Sequence, residues 1–203
     1  MSSAYSHCNN LTGNFVCGPN VTDMSYTYLG CYKLTGSPVC GDNVTNMYGA
    51  YIGCTNLTGS PVCGNNVIDM SWAYQGCRNL TGSPVCGPNV TSMSNTYKNC
   101  YNLTGSPICG NKVINMSDTY NNCPNLNECT VNWYAPNIRD VTNCFYGKNS
   151  SRKYNIHVPA NSKTFNTMII SNSNSLIGYR ITWTNNGTCW YNTTYNIYIY
   201  PDL

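Results

Sequence analysis

The sequence predicts a repeat solenoid: a right-handed stack of coils, each with a short parallel strand and a helical turn, closed by a C-terminal β cap. Three observations carry this. A 23-residue unit recurs as CYKLTGSPVCGDNVTNMYGAYIG from Cys31, CTNLTGSPVCGNNVIDMSWAYQG from Cys54 and CRNLTGSPVCGPNVTSMSNTYKN from Cys77. The apolar positions hold that step, and so do the turn-forming Gly and Pro residues. A unit this short cannot bury its own apolar side, but stacked units bury one another's.

The ladders follow in order. Leu11, Leu34, Leu57, Leu80, Leu103 and Leu126 form one, and Val21, Val44, Val67, Val90 and Val113 another. Met24, Met47, Met70, Met93 and Met116 form a third, with Tyr5, Tyr28, Tyr51, Tyr74, Tyr97 and Tyr120 three residues before a recurring Cys. All are expected inside. Gly41, Gly64, Gly87 and Gly110, with Pro38, Pro61, Pro84 and Pro107, mark corners. A strand is expected near Pro-Val-Cys and a helical turn near Met-x-x-x-Tyr, with coils about 4.8 Å apart. Met1 lies 23 residues before Met24, so the array is read as starting in mid-repeat. An end of that kind implies either a fragment or a cover, from another subunit of a larger assembly or from self-association with a second copy.

The array is assigned to 1–149, degenerate after Leu126, and 150–203 to a β cap or attachment segment. In the latter, NIHVP from Asn155 and NIYIYP from Asn196 read as strands ended by Pro, and LIGYRITW from Leu176 alternates like a third.

Composition narrows the function. Hydrophobic residues make up 41% of the 203, charged residues only 8%, and the net charge is +3. Average globular chains are about 25% charged. So neutral a surface excludes nucleic-acid binding by phosphate neutralisation. No run reaches the roughly 18 apolar residues of a membrane span. The start, MSSAYSHCNN, has neither the basic nor the apolar region of a secretion signal.

The segment NVTDMSYTYLGCYKLTG from Asn20 resembles the BspA-like leucine-rich repeat, in the Met- and Cys-containing variant of bacterial and mycoplasma surface proteins, with Tyr28 where that variant has Phe. The resemblance covers roughly residues 1–150. It implies a leucine-rich-repeat-like coil, a place at the cell surface or outside the cell, and a role in adhesion. It also implies that the Cys of each Tyr-x-x-Cys is buried and unpaired.

The 14 cysteines admit two accounts. One is a ladder of small buried hydrophobes. The other is a disulfide across nine residues within each repeat, pairing Cys8 with Cys17, Cys31 with Cys40, Cys54 with Cys63, Cys77 with Cys86 and Cys100 with Cys109. Metal sites are not expected, since no C-x-x-C or neighbouring His pair occurs. No cofactor is implied.

No active site emerges. His7 and His157 lie far apart, and the acids Asp23, Asp42, Asp69, Asp118, Glu128, Asp140 and Asp202 are scattered. Asp23 and Asp69 share a repeat position two coils apart, a remote version of a paired-carboxylate site. The recurring Asn-Val-Thr and Asn-Leu-Thr tripeptides read as by-products of the repeat, with Asn bonding turn backbone. A basic run, Lys148, Arg152, Lys153 and Lys163, reads as a solvated loop.

Variation between copies falls two, five and eight residues after Met. These lines contain Tyr26, Leu29, Tyr32, Ile52, Trp72, Gln75, Arg78, Lys98 and Tyr101. A helical turn would place them on one side, as a strip rich in the Tyr, Trp and Arg that dominate protein interfaces. The expectation is a non-catalytic recognition or adhesion module for a surface protein or glycan, with no membrane insertion. The competing readings are a phage virion protein (tail fibre, receptor-binding or capsid-decoration) and an inert spacer.

Overall fold

The computed structural model describes residues 1–126, 129–132, 135–147, 153–160, 162–169, 176–177, 184–194 and 197–201. Up to Leu126 each unit is one coil hydrogen-bonded to the next. The N–H groups of Met24, Tyr26, Tyr28 and Gly30 donate to the carbonyls of Asn46, Tyr48, Ala50 and Ile52 at 2.7–2.9 Å. The intervening Thr27, Leu29 and Cys31 donate three residues back within their own coil, at 3.1–3.2 Å.

This corrects the expected helical turn. A helix directs every N–H along its own axis. Here alternate N–H groups point along the stack, and the segment is a run of tight turns. The run needs left-handed backbone two residues after Met, at Tyr26 (φ 52°), Trp72 (φ 64°), Asn95 (φ 57°) and Asp118 (φ 53°).

The expected strand at Pro-Val-Cys is also corrected. Isolated parallel bridges instead join Asp23, Asn46, Asp69, Ser92, Asn115 and Asp140 in succession. Pro61 has no N–H to offer a ladder, and a tyrosine serves Val62 in place of a strand. The Tyr74 hydroxyl donates to the Val62 carbonyl (2.7 Å) and accepts from the Val62 N–H (3.2 Å). Tyr51 does the same for Val39 and Tyr97 for Val85.

The tyrosine rings form the spine of the core. Tyr5, Tyr28, Tyr51, Tyr74, Tyr97, Tyr120 and Phe145 stack in sequence with centroids 5.1–5.9 Å apart. Leu57, Val67 and Met70 lie beside them, at most 1% exposed. Coil packing is tight enough to require glycine. A Cβ on Gly87 would sit 2.9 Å from the Gly64 carbonyl oxygen and 2.8 Å from Cys63 Sγ. Gly87→Ala is therefore expected to cost about 1–3 kcal/mol, as overpacking does. The check is a lower urea midpoint with an unchanged slope.

The sheet starts before residue 150. β1 (Cys129–Asn132), β2 (Tyr154–His157), β3 (Thr184–Asn185), β4 (Trp190–Asn192) and β5 (Ile197–Tyr200) are ordered β1-β2-β5-β4-β3. β1 and β5 flank β2 in parallel, and the β3 and β4 pairings are antiparallel. Pro159 and Pro201 follow soon after β2 and β5, as the two Pro-ended motifs predict. A short helix, α1 (Lys163–Ile169), was not expected. Most of LIGYRITW lies outside the described residues, and its Leu176–Ile177 is a turn. The sheet meets the last coils through Tyr154, whose hydroxyl donates to Leu126 O (3.1 Å) and whose ring contacts Phe145.

Candidate functional site

Equivalent positions of successive coils lie side by side, so a site here is a row of residues. The structure places the strip residues at the surface or partly so. Tyr32 is 49% exposed and Arg78 is exposed, while Leu29, Ile52, Trp72, Gln75, Lys98 and Tyr101 are half-buried. Several join across coils. The Arg78 guanidinium lies 5.6 Å from the Tyr101 ring centroid, Lys98 pairs with Asp118 at 3.0 Å, and Tyr26 meets Tyr48 edge-on. The strip is thus assembled by stacked turns instead of a helical face.

Thirteen described cysteines are free thiols in the structure. The two series nine residues apart use different acceptors. Cys31, Cys54, Cys77, Cys100 and Cys123 each aim Sγ at a Tyr carbonyl one coil back, at 2.9–3.1 Å. Cys40, Cys63, Cys86 and Cys109 each turn to the carbonyl of the following Gly. Burial pushes the thiols of Cys63, Cys77 and Cys123 up to about 12, and that of Cys86 to about 11. These four hold no thiolate for nucleophilic chemistry at neutral pH.

The acids serve the turns. Asp23, Asp69 and Asp140 each accept from the N–H two residues on, at 2.7–2.9 Å. These Asx turns explain the choice of Asp or Asn there, and they account for the Asp23 and Asp69 carboxylates without a shared site. His7 belongs to the first coil, and His157 stacks on Tyr200 in the sheet. Of the basic run, Lys153 Nζ sits 4.2 Å above the Tyr198 ring and Lys163 opens α1. Lys148 and Arg152 lie outside the described residues.

A concave feature lies elsewhere. A groove of about 650 Å3 runs along the stack, lined by Asn20, Thr22, Asn43, Thr45, Asn66, Ile68, Asn89, Thr91 and Lys112. None of the strip residues lines it. The coils contribute residues four and two before Met, on either side of an inward Val. The first of them sits in a turn closed by the Val N–H, as where Val44 donates to the Gly41 carbonyl at 3.1 Å. Asn43, Asn66 and Asn89 donate Nδ2 to main-chain carbonyls one coil back (Pro19, Asp42 and Asn65) at 2.7–2.9 Å. Thr45 and Thr91 likewise donate to Thr22 O and Ile68 O at 3.2 Å. The Asn side chains thus bond turn backbone, that of the coil before. The signal for this row was the recurring Asn-Val-Thr, which reads as a by-product of the repeat when only its Val is weighed.

Among the described residues, no group of three His, Cys, Asp or Glu is placed to hold a metal ion, and no helix is long and apolar enough to cross a membrane. No family model, curated protein or solved structure matches this chain.

Proposed function

We propose that the stacked coils form a solenoid whose outer face is a non-catalytic recognition module, displayed at a cell surface and binding a surface protein or glycan. The observation that carries this reading is the Arg78–Tyr101 pair and the partly exposed Trp72, at positions that differ between copies while the core beneath them repeats. A scaffold that repeats inside and varies outside suits selection for a partner. Tyr, Trp and Arg are also the side chains that most often supply binding energy. The Asx turns and buried thiols give the acids and cysteines structural work, which supports a binding role over a catalytic one.

The test is a triple variant, Trp72→Ala, Arg78→Ala and Tyr101→Ala, applied to labelled protein on immobilised surface proteins and glycans. Binding should fall by a factor of about 30 or more, since loss of one hot spot alone removes about 2 kcal/mol. Far-ultraviolet circular dichroism should be unchanged. Equal binding by the variant and the parent would end this reading of the strip.

A further inference from the structure

The Asn/Thr groove is a second surface, separate from the varied strip, and its chemistry specifies a ligand. Its residues recur where the strip's do not: Asn20, Asn43, Asn66 and Asn89 along one row, then Lys112. The amide nitrogens of Asn43 and Asn66 are already engaged with main-chain carbonyls one coil back. Among the described residues no donor meets Oδ1 of either. Asn89 shows what such an oxygen takes, since its Oδ1 accepts from Lys112 Nζ at 2.6 Å. Asn43 and Asn66 therefore offer open hydrogen-bond acceptors one coil apart.

The second row is Thr22, Thr45, Ile68 and Thr91. The Thr45 and Thr91 hydroxyls are tied along the stack, so each leaves its methyl as the other branch. Ile68 stands in the same row, 50% exposed. Acceptors thus run beside a line of methyl groups, with one charge, Lys112, at the end. A polyanion or polycation would need matching charge along the whole groove, and the row does not supply it.

We propose that this groove binds a linear, neutral glycan lying along the stack. Sugar hydroxyls donate to the Asn oxygens, and the C–H faces of the pyranose rings rest on the Thr and Ile methyls. Coils stack about 5 Å apart at strand spacing, close to the length of one pyranose ring in an extended β-linked chain. One sugar per coil keeps both rows in register with the polymer. An extended peptide fits less well, because its residues rise about 3.3 Å each, out of step with coils about 4.8 Å apart.

The experiment is calorimetric titration of the intact chain with cello- and chito-oligosaccharides of increasing length. Affinity should rise with length until the ligand spans the five coils that line the groove. Ile68→Arg and Thr45→Arg each put a long charged side chain into the groove from a surface position, and each should weaken binding about tenfold or more. The Trp72, Arg78 and Tyr101 triple variant should bind these sugars as the parent does. Thermal melts of both Arg variants establish that they fold. Three results overturn the proposal: no binding of any neutral oligosaccharide, binding indifferent to both Arg variants, or a groove that selects extended peptides instead. Each leaves the strip reading standing, since the strip is tested by its own triple variant.

Discussion

Raising the pH above about 9 will unfold the array steeply, long before the main chain is chemically damaged. The buried thiols set the direction. An exposed thiol titrates near 8.5. In the folded chain Cys63, Cys77 and Cys123 are pushed up to about 12 and Cys86 to about 11, in each case mainly by burial. Between those limits the folded state keeps protons that the unfolded chain has released. Stability is therefore full below the unfolded value and falls as pH rises through the window towards 11–12. Each such thiol costs about 1.4 kcal/mol per pH unit there, so the four together remove about 5 kcal/mol per unit. A domain has roughly 5–15 kcal/mol in all. Tyr28, raised to about 12, adds to the slope above its ordinary 10.0. Urea unfolding at a series of pH values from neutral upward measures it. A midpoint that holds steady to pH 11 would mean that these thiols are not buried as described.

Tyr74→Phe will destabilise the protein, whereas Tyr120→Phe will not. The two rings hold equivalent places in the spine and both are buried. Tyr74 satisfies both the N–H and the carbonyl of Val62, a job left to it because Pro61 precedes a chain segment with no strand partner. Removing its oxygen strands two main-chain groups, each worth about 1–3 kcal/mol when left unpaired. Val62 is half-buried, so water recovers part of this, and a net loss of about 2–3 kcal/mol is expected. Among the described residues, the buried Tyr120 hydroxyl has no hydrogen-bond partner. Its removal relieves a desolvated group at little packing cost, so the variant should be neutral or slightly more stable. Thermal unfolding of both variants decides the matter. Equal losses would show that the hydroxyls are not paired in this way.

Legibility varied with the physics behind each feature. Leu57, Val67 and Met70 were readable as interior because burial imposes one demand on every copy, and identical demands leave identical residues. The Pro-ended strands near Tyr154 and Ile197 were readable because Pro stops a ladder by itself. The left-handed turns were half-visible. Gly30, Gly53 and Gly76 recur six residues after Met, followed by Asn99 and Asn122, and all five adopt positive φ. That Gly-or-Asn alternation is a left-handed signature, and it argues against a helix. Trp72 and Tyr26 masked the companion position, because a bulky residue at positive φ is uncommon and only the surrounding hydrogen bonds hold it there.

The candidate site was legible in its varied half and hidden in its constant half. Comparing copies finds Trp72, Arg78 and Tyr101 without coordinates. It passes over Asn43, Asn66 and Thr45, which recur like core residues although they face water. The difference lies in where their bonds go: an amide whose donor is held by the previous coil looks, in one dimension, like any other turn Asn.

From its sequence alone this chain is determined to be a repeating array with an apolar interior, because a constant period in Leu, Val, Met and Tyr has no other cheap explanation than mutual burial. The tertiary structure decided which N–H groups turn outward to the next coil, where the chain bends left-handed, and which polar rows border a groove. Those choices depend on the coil above and the coil below, and a bond between residues 22 to 26 apart has no local trace in the order of the amino acids.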